Sequence, residues 1–363
     1  MKINFFKEAL IKPLEVFKPI ISHRSSLPIL ECVKLECVSN NKLKITGGNN
    51  ESILSIVVDV DIDSEVGTSY CINYKEFLEA LKRMPSAGLL LKFEDVVAIL
   101  DYNVGEMSFA VSPSNEYPSI VPVEDYSIKI EKEQIELIDI ASKFSGNDEI
   151  RPVMNGVFLD FHKGNIVATD GHSLFRASNK LPIADSFKNP ILSKQVLSII
   201  KSFKEFSLSA SSSHVTLRNN NMELTSRLIE GRYPNYDSVI PTDNNLEVIV
   251  DRLSLIEAIK RVSLSSNEDT NRLELNIADN TISISTDCIE KNKWSKEDIR
   301  ANTESITDTF NMAIKSTLIL NILSNITTDM VSIKFKDKQR AFLVEAIDTE
   351  KESNCLWLGM PMV

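Results

Sequence analysis

The residues most suggestive of chemistry lie in the segment Ala168-Thr169-Asp170-Gly171-His172-Ser173-Leu174. An acid, an imidazole and a hydroxyl close together are the residue types of a nucleophilic hydrolase. However, the members of a catalytic triad converge from separated segments, and a third group orients the base. Gly171 between the acid and the imidazole predicts a tight turn with positive φ. We therefore interpret the segment as a turn that presents side chains at a surface, with a hydrolase using Asp170 and His172 as the alternative.

The remaining histidines and the cysteines give no metal-ligand pattern. His23, His162 and His214 lack ligand spacing, and the five cysteines include no CxxC. Cys32 and Cys37 differ by five positions and so face opposite sides of a strand. No nucleotide-binding, zinc-protease or nucleophile-elbow motif is present. We expect reduced, buried thiols in a cytoplasmic protein with no catalytic site, metal or cofactor.

Basic residues near predicted helix tips form a second candidate site. A lysine at a helix N-terminus opposes the macrodipole, so helix stability does not explain it. Sequence-independent contacts with phosphates would explain lysines at these positions. For any single lysine, a solvated helix face is the alternative. Arg24 and Arg151 are loop candidates for the same role. The helix-associated cations are Lys7, Lys12, Lys75, Lys82, Arg83, Lys194, Lys201, Lys204, Arg252, Lys260, Arg261 and Lys315.

A third candidate is a set of apolar residues on polar-looking turns. Val239 and Ile240 follow Tyr236, and the chain ends in a segment that contains Met360-Pro361-Met362. Two methionines beside a proline make an adaptable surface for partners. The sequence leaves open whether these residues belong to a core strand or to a peptide groove.

The elements that position these residues recur three times at a spacing near 120 residues. Apolar stripes at helical spacing predict a first helix in each copy. These stripes are Leu10, Leu14 and Phe17, then Ile135, Ile138 and Ala141, and finally Leu255, Ile259 and Val262. A second helix is predicted near Lys75, Lys194 and Lys315, each followed three positions later by Leu78, Leu197 or Leu318. Alternating strands lie between the helices, at Val33/Leu35/Cys37, Val157/Leu159/Phe161 and Leu273/Leu275/Ile277.

The chain of 363 residues therefore divides into repeats at 1–124, 125–245 and 246–363. Proline-bearing segments at Tyr117–Pro122 and Tyr233–Pro241 mark the joints. Two helices among short alternating strands favour an α+β fold over a doubly wound sheet. The formal charge of −11 argues against tight electrostatic capture of nucleic acid, unless the cations are gathered on one surface.

Over its full length the chain resembles the bacterial sliding clamps, the beta subunits of DNA polymerase III holoenzymes. The resemblance is carried by Lys12-Pro13-Leu14, Leu27-Pro28-Ile29-Leu30, Asn155-Gly156, Ala168–His172, Gly231–Tyr236 and Met360-Pro361-Met362. It implies a head-to-tail homodimer whose six repeats encircle double-stranded DNA, with helices lining a central hole and antiparallel sheets on the outer rim.

The resemblance implies a non-catalytic processivity factor, whose partners are the clamp loader, the polymerase alpha subunit and other motif-bearing replication and repair proteins. By the same resemblance the DNA-facing residues are Arg24, Lys7, Lys12, Lys75, Arg151, Lys194, Lys201, Arg252 and Lys315. No membrane partner is expected, since no apolar run is long enough to span a bilayer.

A groove between repeats two and three is implied for the linear motifs of these partners. Its walls would be Met154, Thr169, Gly171, His172, Leu174, Pro234, Val239, Leu358, Met360, Pro361 and Met362. Ser173 and Ser238 stand where groove arginines are common in the family. Binding is therefore expected to depend more on apolar burial than on charge.

The subunit contact implied by the resemblance pairs an edge strand of repeat one with one of repeat three. By position these segments are Met107–Val111 and Val262–Ser266. Met107, Phe109 and Leu264 are the predicted apolar anchors, while Ser265 stands where a large apolar residue is frequent. A heterologous contact that closes a ring hides both exposed edges.

Overall fold

The computed structural model describes residues 1–21, 27–306, 308–347 and 354–362. Its helices begin where the repeat spacing predicts them, and two carry N-caps: Asn73 accepts from the N–H of Glu76, and Asp251 from that of Ser254. The helix of the central repeat that begins at Lys194 is short. The helices are α1 (Lys7–Val16), α2 (Tyr74–Arg83), α3 (Lys132–Ser142), α4 (Lys194–Ile199), α5 (Arg252–Ser263) and α6 (Ser316–Ser324).

Short strands with alternating burial make up most of the remaining regular structure. They are β1 (Lys2–Phe6), β2 (Cys32–Ser39), β3 (Lys42–Gly48), β4 (Ser52–Asp59), β5 (Asp61–Asp63), β6 (Ser69–Asn73), β7 (Gly88–Glu94), β8 (Val97–Asp101), β9 (Glu106–Pro113), β10 (Ser127–Ile130), β11 (Val157–Asp160), β12 (Asn165–Thr169), β13 (Ser173–Ala177), β14 (Ile191–Leu192), β15 (Phe206–Ala210), β16 (His214–Arg218), β17 (Met222–Arg227), β18 (Leu246–Asp251), β19 (Arg272–Ala278), β20 (Thr281–Cys288), β21 (Lys293–Asn302), β22 (Phe310–Lys315), β23 (Met330–Phe335), β24 (Phe342–Ala346) and β25 (Cys355–Gly359).

One compact unit comprises residues 1–136 and 192–230. Its sheet runs in the order β10-β15-β16-β17-β4-β3-β2-β6-β9-β8-β7-β1-β5. Antiparallel pairs such as β2–β3 and β3–β4 build the sheet. The predicted stripe of Leu10, Leu14 and Phe17 is fully buried, which confirms the period that the sequence indicates.

The other unit comprises residues 137–191 and 231–363. Its sheet runs in the order β14-β11-β12-β13-β25-β24-β23-β18-β21-β20-β19-β22. Leu255, Ile259 and Val262 of α5 are buried as predicted. Antiparallel pairing of β13 with β25 joins a strand of the central repeat to the last strand of the chain.

The cysteines and the predicted strand residues lie in the interior of the protein. All five cysteines are buried and free, and the strand triplets at Val33, Val157 and Leu273 are buried as predicted. In the described ranges no helix is both long and apolar enough to cross a bilayer. No group of three or more His, Cys, Asp or Glu residues is placed to hold a metal ion within those ranges.

Candidate functional site

The turn between β12 and β13 is held by hydrogen bonds within the segment itself. Gly171 has φ +89°, which confirms the predicted turn. Asp170 Oδ1 accepts from the N–H groups of His172 at 2.9 Å and Ser173 at 2.6 Å, and from Ser173 Oγ at 3.0 Å. Thr169 Oγ1 donates to the Ser173 carbonyl at 2.6 Å. The serine donates to the acid and not to the imidazole, so this is a structural turn that leaves His172 exposed.

The C-terminal segment lies directly beside this turn. Ser173 pairs with Gly359 and Leu174 with Leu358 in the β13–β25 ladder. The N–H of Met360 then donates to the His172 carbonyl at 2.9 Å. Leu358 is 4% exposed whereas Met360 is 38% exposed, and Pro361 after it is buried again, so Met360 is the exposed residue of this stretch. The core-strand interpretation is confirmed for Leu358, whereas a peptide groove at the residues after Gly359 stays a prediction.

An open pocket of about 470 Å³ lies where the tail passes this turn. The N–H of Met362 donates to the Ala313 carbonyl of β22 at 2.8 Å, which brings α6 to the same place. The lining residues are Asp170, His172, Ser173, Lys315, Thr317, Leu318, Asn321, Met360, Pro361 and Met362. Thus His172, Met360, Pro361 and Met362 come together as predicted.

Lys315, which was predicted to face DNA, lines this pocket. Thr317, Leu318 and Asn321, on the first turns of α6, were not predicted as groove residues. In the sequence, this helix was predicted from the recurring pattern of a lysine followed three positions later by a leucine, here Lys315 and Leu318.

Several other predicted walls lie behind or beside the pocket. Met154 and Leu174 are 7% and 1% exposed, and Thr169 is buried with its hydroxyl bonded in the turn. They support the groove and do not line the open pocket. Pro234 and Val239 are exposed but lie outside the pocket lining.

Arg151 lies against the turn as well. Its guanidinium nitrogens lie 3.1 and 3.4 Å from the point where a Cβ on Gly171 would stand. Its Nε donates to Asp148 Oδ2 at 2.9 Å, and this ion pair holds the pKa of the Asp148 carboxyl below its usual value. The Arg151 guanidinium thus lies beside the turn and is paired with Asp148, and its predicted DNA contact stays a prediction.

The segment that carries Val239 is anchored by a buried tyrosine. Tyr236 donates its hydroxyl to Asp160 Oδ2 at 2.6 Å and accepts from Asn165 Nδ2 at 3.0 Å. Burial, together with the Asp160 carboxylate, raises the pKa of the Tyr236 hydroxyl. Tyr233 stacks on Phe158 with ring centroids 4.7 Å apart. These contacts fix the backbone from which Val239 projects.

Replacing Tyr236 with Phe is expected to destabilise the protein by about 1.5–3 kcal/mol, because it removes the hydroxyl donor from Oδ2 of the buried Asp160 carboxylate, while Asn189 and Lys163 still donate to Oδ1. Urea unfolding monitored by tryptophan fluorescence measures this loss. Tyr102→Phe is the matched control, since Tyr102 is only partly buried. Equal unfolding midpoints for the two variants would contradict the anchoring role.

The predicted DNA-facing cations differ in how the fold uses them. Lys7 Nζ donates to the Met84 carbonyl at 2.6 Å, and Arg252 Nε donates to the Thr328 carbonyl at 2.6 Å. These two side chains tie helix starts to neighbouring loops, and their predicted DNA-facing role stays a prediction. Lys12, Lys75, Lys194 and Lys201 are exposed, and their DNA-facing role stays a prediction. Arg24 lies outside the described residues.

The first predicted interface segment, Met107–Val111, lies in β9, which is not an edge strand of its sheet along its whole length. Residues 106–110 of β9 pair with β8, and residues 111–113 pair with β6, so β9 lies inside the sheet order. Phe109 is 6% exposed and packs edge-on against Phe77 with ring centroids 5.7 Å apart. The prediction of Phe109 as an exposed anchor is therefore wrong. Met107 is 38% exposed.

The second interface segment is not a strand. Val262 and Ser263 end α5, and Leu264 is its C-cap, with 80% of its surface exposed. Ser265 Oγ lies 2.8 Å from Ser295 Oγ of β21, so this turn lies beside that strand. β21 pairs with β20 along its length but with β18 only at residues 301 and 302. Within the described residues, 293–300 therefore present an unpaired edge.

Trp294 on this edge is 75% exposed and was not identified from the sequence. Trp294 lies on the more exposed face of β21, together with Lys296 and Asp298. The sequence could have indicated it, since a tryptophan among charged residues is unusual.

Three family models match the chain in tandem. The N-terminal, central and C-terminal domains of the DNA polymerase III beta subunit match residues 1–121, 129–235 and 237–362. These matches confirm the predicted α+β architecture of three successive repeats.

Whole-length relatives and solved structures agree with these matches. The chain is 27% identical to the beta sliding clamp of Vibrio cholerae, covering 100% of both chains. It is 24% identical to that of Bacillus subtilis, covering 96% of this chain and 97% of the relative. A Pseudomonas aeruginosa sliding clamp bound to griselimycin has a TM-score of 0.91 at 22% identity, covering 100% of this chain and 99% of that one. A Bartonella birtlesii clamp has a TM-score of 0.92 at 17% identity, with the same coverage.

Proposed function

Because the chain belongs to the DNA polymerase III beta subunit family, the bacterial sliding clamps, we propose that it closes into a head-to-tail homodimeric ring around double-stranded DNA. The family is a non-catalytic processivity subunit, and the polymerase chemistry belongs to a partner. In the proposed ring the helices line the hole and the sheets form the outer rim. The repeats are proposed to end near residues 124 and 245.

The pocket beside the C-terminal tail carries the partner-binding part of the proposal. Apolar Met360, Pro361 and Met362 adjoin the polar turn at His172, and a short motif with apolar anchors suits such a surface. The replicative polymerase alpha subunit, the clamp loader and other motif-bearing proteins would bind there in turn. Flexible methionines suit a site that accepts several related peptides.

Two strand edges that have no partner among the described residues support the proposed ring contact. One is the β21 edge at residues 293–300 with Leu264 beside it, and the other is the side of residues 106–110 in β9 that does not face β8. Head-to-tail pairing of these edges would bury Met107, Leu264 and Trp294. A heterologous contact of this kind closes into a ring and removes exposed edges from solvent.

Weak electrostatic attraction to DNA suits a protein that slides along it. A formal charge of −11 opposes tight capture of DNA, but an enclosing ring does not depend on affinity to remain on its substrate. Exposed lysines such as Lys12 and Lys75 would make sequence-independent phosphate contacts. We also propose a cytoplasmic location, supported by the five free, buried cysteines.

Replacing Lys12 and Lys75 together with Ala is expected to weaken binding to duplex DNA equally across sequences and to lower the salt slope by about two. Fluorescence anisotropy over a series of salt concentrations measures both effects. The control is Lys42→Ala with Lys44→Ala, which removes the same charge from β3. The side chains of Leu43 and Ile45 point to the buried face of that strand, so the two lysines point to the opposite face. A sequence-selective loss would count against the proposal.

Retention on plasmid DNA tests the ring directly. The wild-type protein should have the native mass of a dimer, and after loading it should stay on nicked circular plasmid but leave the same plasmid once it is linearised. A monomeric mass, or equal retention on both DNA forms, would refute the proposed ring.

A further inference from the structure

The polar side chains that line the groove pocket are mostly used by the fold itself. Asp170 Oδ1 accepts three hydrogen bonds from the turn, including one from Ser173 Oγ. Asn321 Nδ2 donates to the Lys143 carbonyl at 3.0 Å, and its Oδ1 accepts from Asn325 at 3.2 Å. A ligand therefore finds few free polar groups in this pocket.

Lys315 is the exception among the charged groups of the pocket. It is exposed, and it has no salt bridge with any residue in the described part of the chain. It is the N-cap of α6 but makes no side-chain cap, and a cation there opposes the helix macrodipole. Neither helix stability nor an internal ion pair accounts for this lysine.

The serines of the groove do not compensate for this charge. Ser173 is 4% exposed and bonded to Asp170, and Ser238 Oγ donates to the Asn235 carbonyl at 2.7 Å. The pocket thus combines the apolar surface of Met360 and Met362 with one available ammonium group, while the Asp170 carboxylate of the same lining already accepts three hydrogen bonds from its turn. A carboxylate beside an apolar anchor is the ligand chemistry that complements both features.

We propose that Lys315 is a specificity-determining residue of the groove, which selects partner peptides carrying Asp or Glu next to the apolar residues that contact Met360 and Met362. This inference rests on the proposed function of the groove. It names the charge of the peptides that the groove prefers. An exposed ion pair contributes modestly, so we expect a preference of about two- to fivefold at low salt.

Two fluorescent peptides test the proposal by titration. Both carry a leucine–phenylalanine anchor, flanked by Glu in one peptide and by Gln in the other. Wild-type protein should bind the Glu peptide more tightly, Lys315→Gln should remove the preference, and Lys315→Glu should reverse it. The preference should also disappear at high salt.

Lys188→Glu is the matched control. Lys188 is an exposed lysine of the same compact unit that does not line the pocket, and the same charge reversal there should leave the preference unchanged. If both peptides bind and Lys315→Glu keeps the wild-type ratio, the inference is overturned while the groove stands. If wild-type protein binds neither peptide, the proposed groove is refuted, and the inference with it.

Discussion

Removal of Met360–Val363 should abolish binding of partner peptides while leaving the fold intact. β25 ends at Gly359, so the truncation spares its pairing with β13 and β24 and the fully buried Trp357. It removes two methionines and a proline from the pocket lining. Burial of each methionine contributes about 1.5–3 kcal/mol, so affinity should fall about 100-fold or more. Fluorescence anisotropy with a labelled polymerase-derived peptide measures the loss.

A longer truncation from Leu358 would not separate loss of peptide binding from loss of stability. Leu358 and Gly359 are ladder residues, and their removal would weaken the core as well as the groove. Point substitutions provide the control: Met360→Ala should weaken peptide binding, whereas Met330→Ala should not. Met330 is 37% exposed against 38% for Met360, but it lies outside the pocket. Unchanged peptide affinity in the truncated protein would refute the groove.

Leu264→Glu should dissociate the ring into monomers that retain the wild-type fold. Leu264 is 80% exposed in the single chain, so the substitution costs little within it. In the proposed dimer the same position is buried beside β21, where an unpaired carboxylate would cost several kcal/mol. We expect the dimer dissociation constant to rise about 100-fold or more. Native mass spectrometry over a dilution series and retention on circular plasmid measure the change.

Leu253→Glu is the control for this substitution. Leu253 lies near the other end of α5 and is 53% exposed. This variant should remain a dimer with unchanged plasmid retention. A Leu264→Glu protein that stays dimeric at the wild-type dissociation constant would show that the contact lies elsewhere.

The sequence predicted the site in outline but not its boundary. His172 and the Met360-Pro361-Met362 tail lie together in the pocket because β13 pairs with β25, and the motifs at both ends of that pairing were recognisable. Lys315 was assigned to DNA because its position relative to a helix start resembles that of other lysines. Spacing along a helix does not say which neighbouring strand the helix tip meets.

For the proposed interface, too, the sequence predicted the segments but not which of their residues are exposed. Phe109 alternates in β9 as an anchor residue would, yet that alternation places its ring on the core face against Phe77. The segment 262–266 was expected to be a strand, whereas α5 extends to Ser263 and the unpaired edge belongs to β21. Which side of a strand is covered depends on the strands beside it, and these lie far away in the sequence.

By itself the sequence determined the threefold plan, the α+β class, the helix positions and the turn at Gly171. Each of these is encoded by residues within one or two helical turns or strand lengths of one another. Only the tertiary structure decided that Lys315 lines the groove, that Phe109 is core, and that Lys7 and Arg252 bind backbone carbonyls. The physical reason is that exposure and free charge depend on partners brought by long-range strand pairing, which no local pattern records.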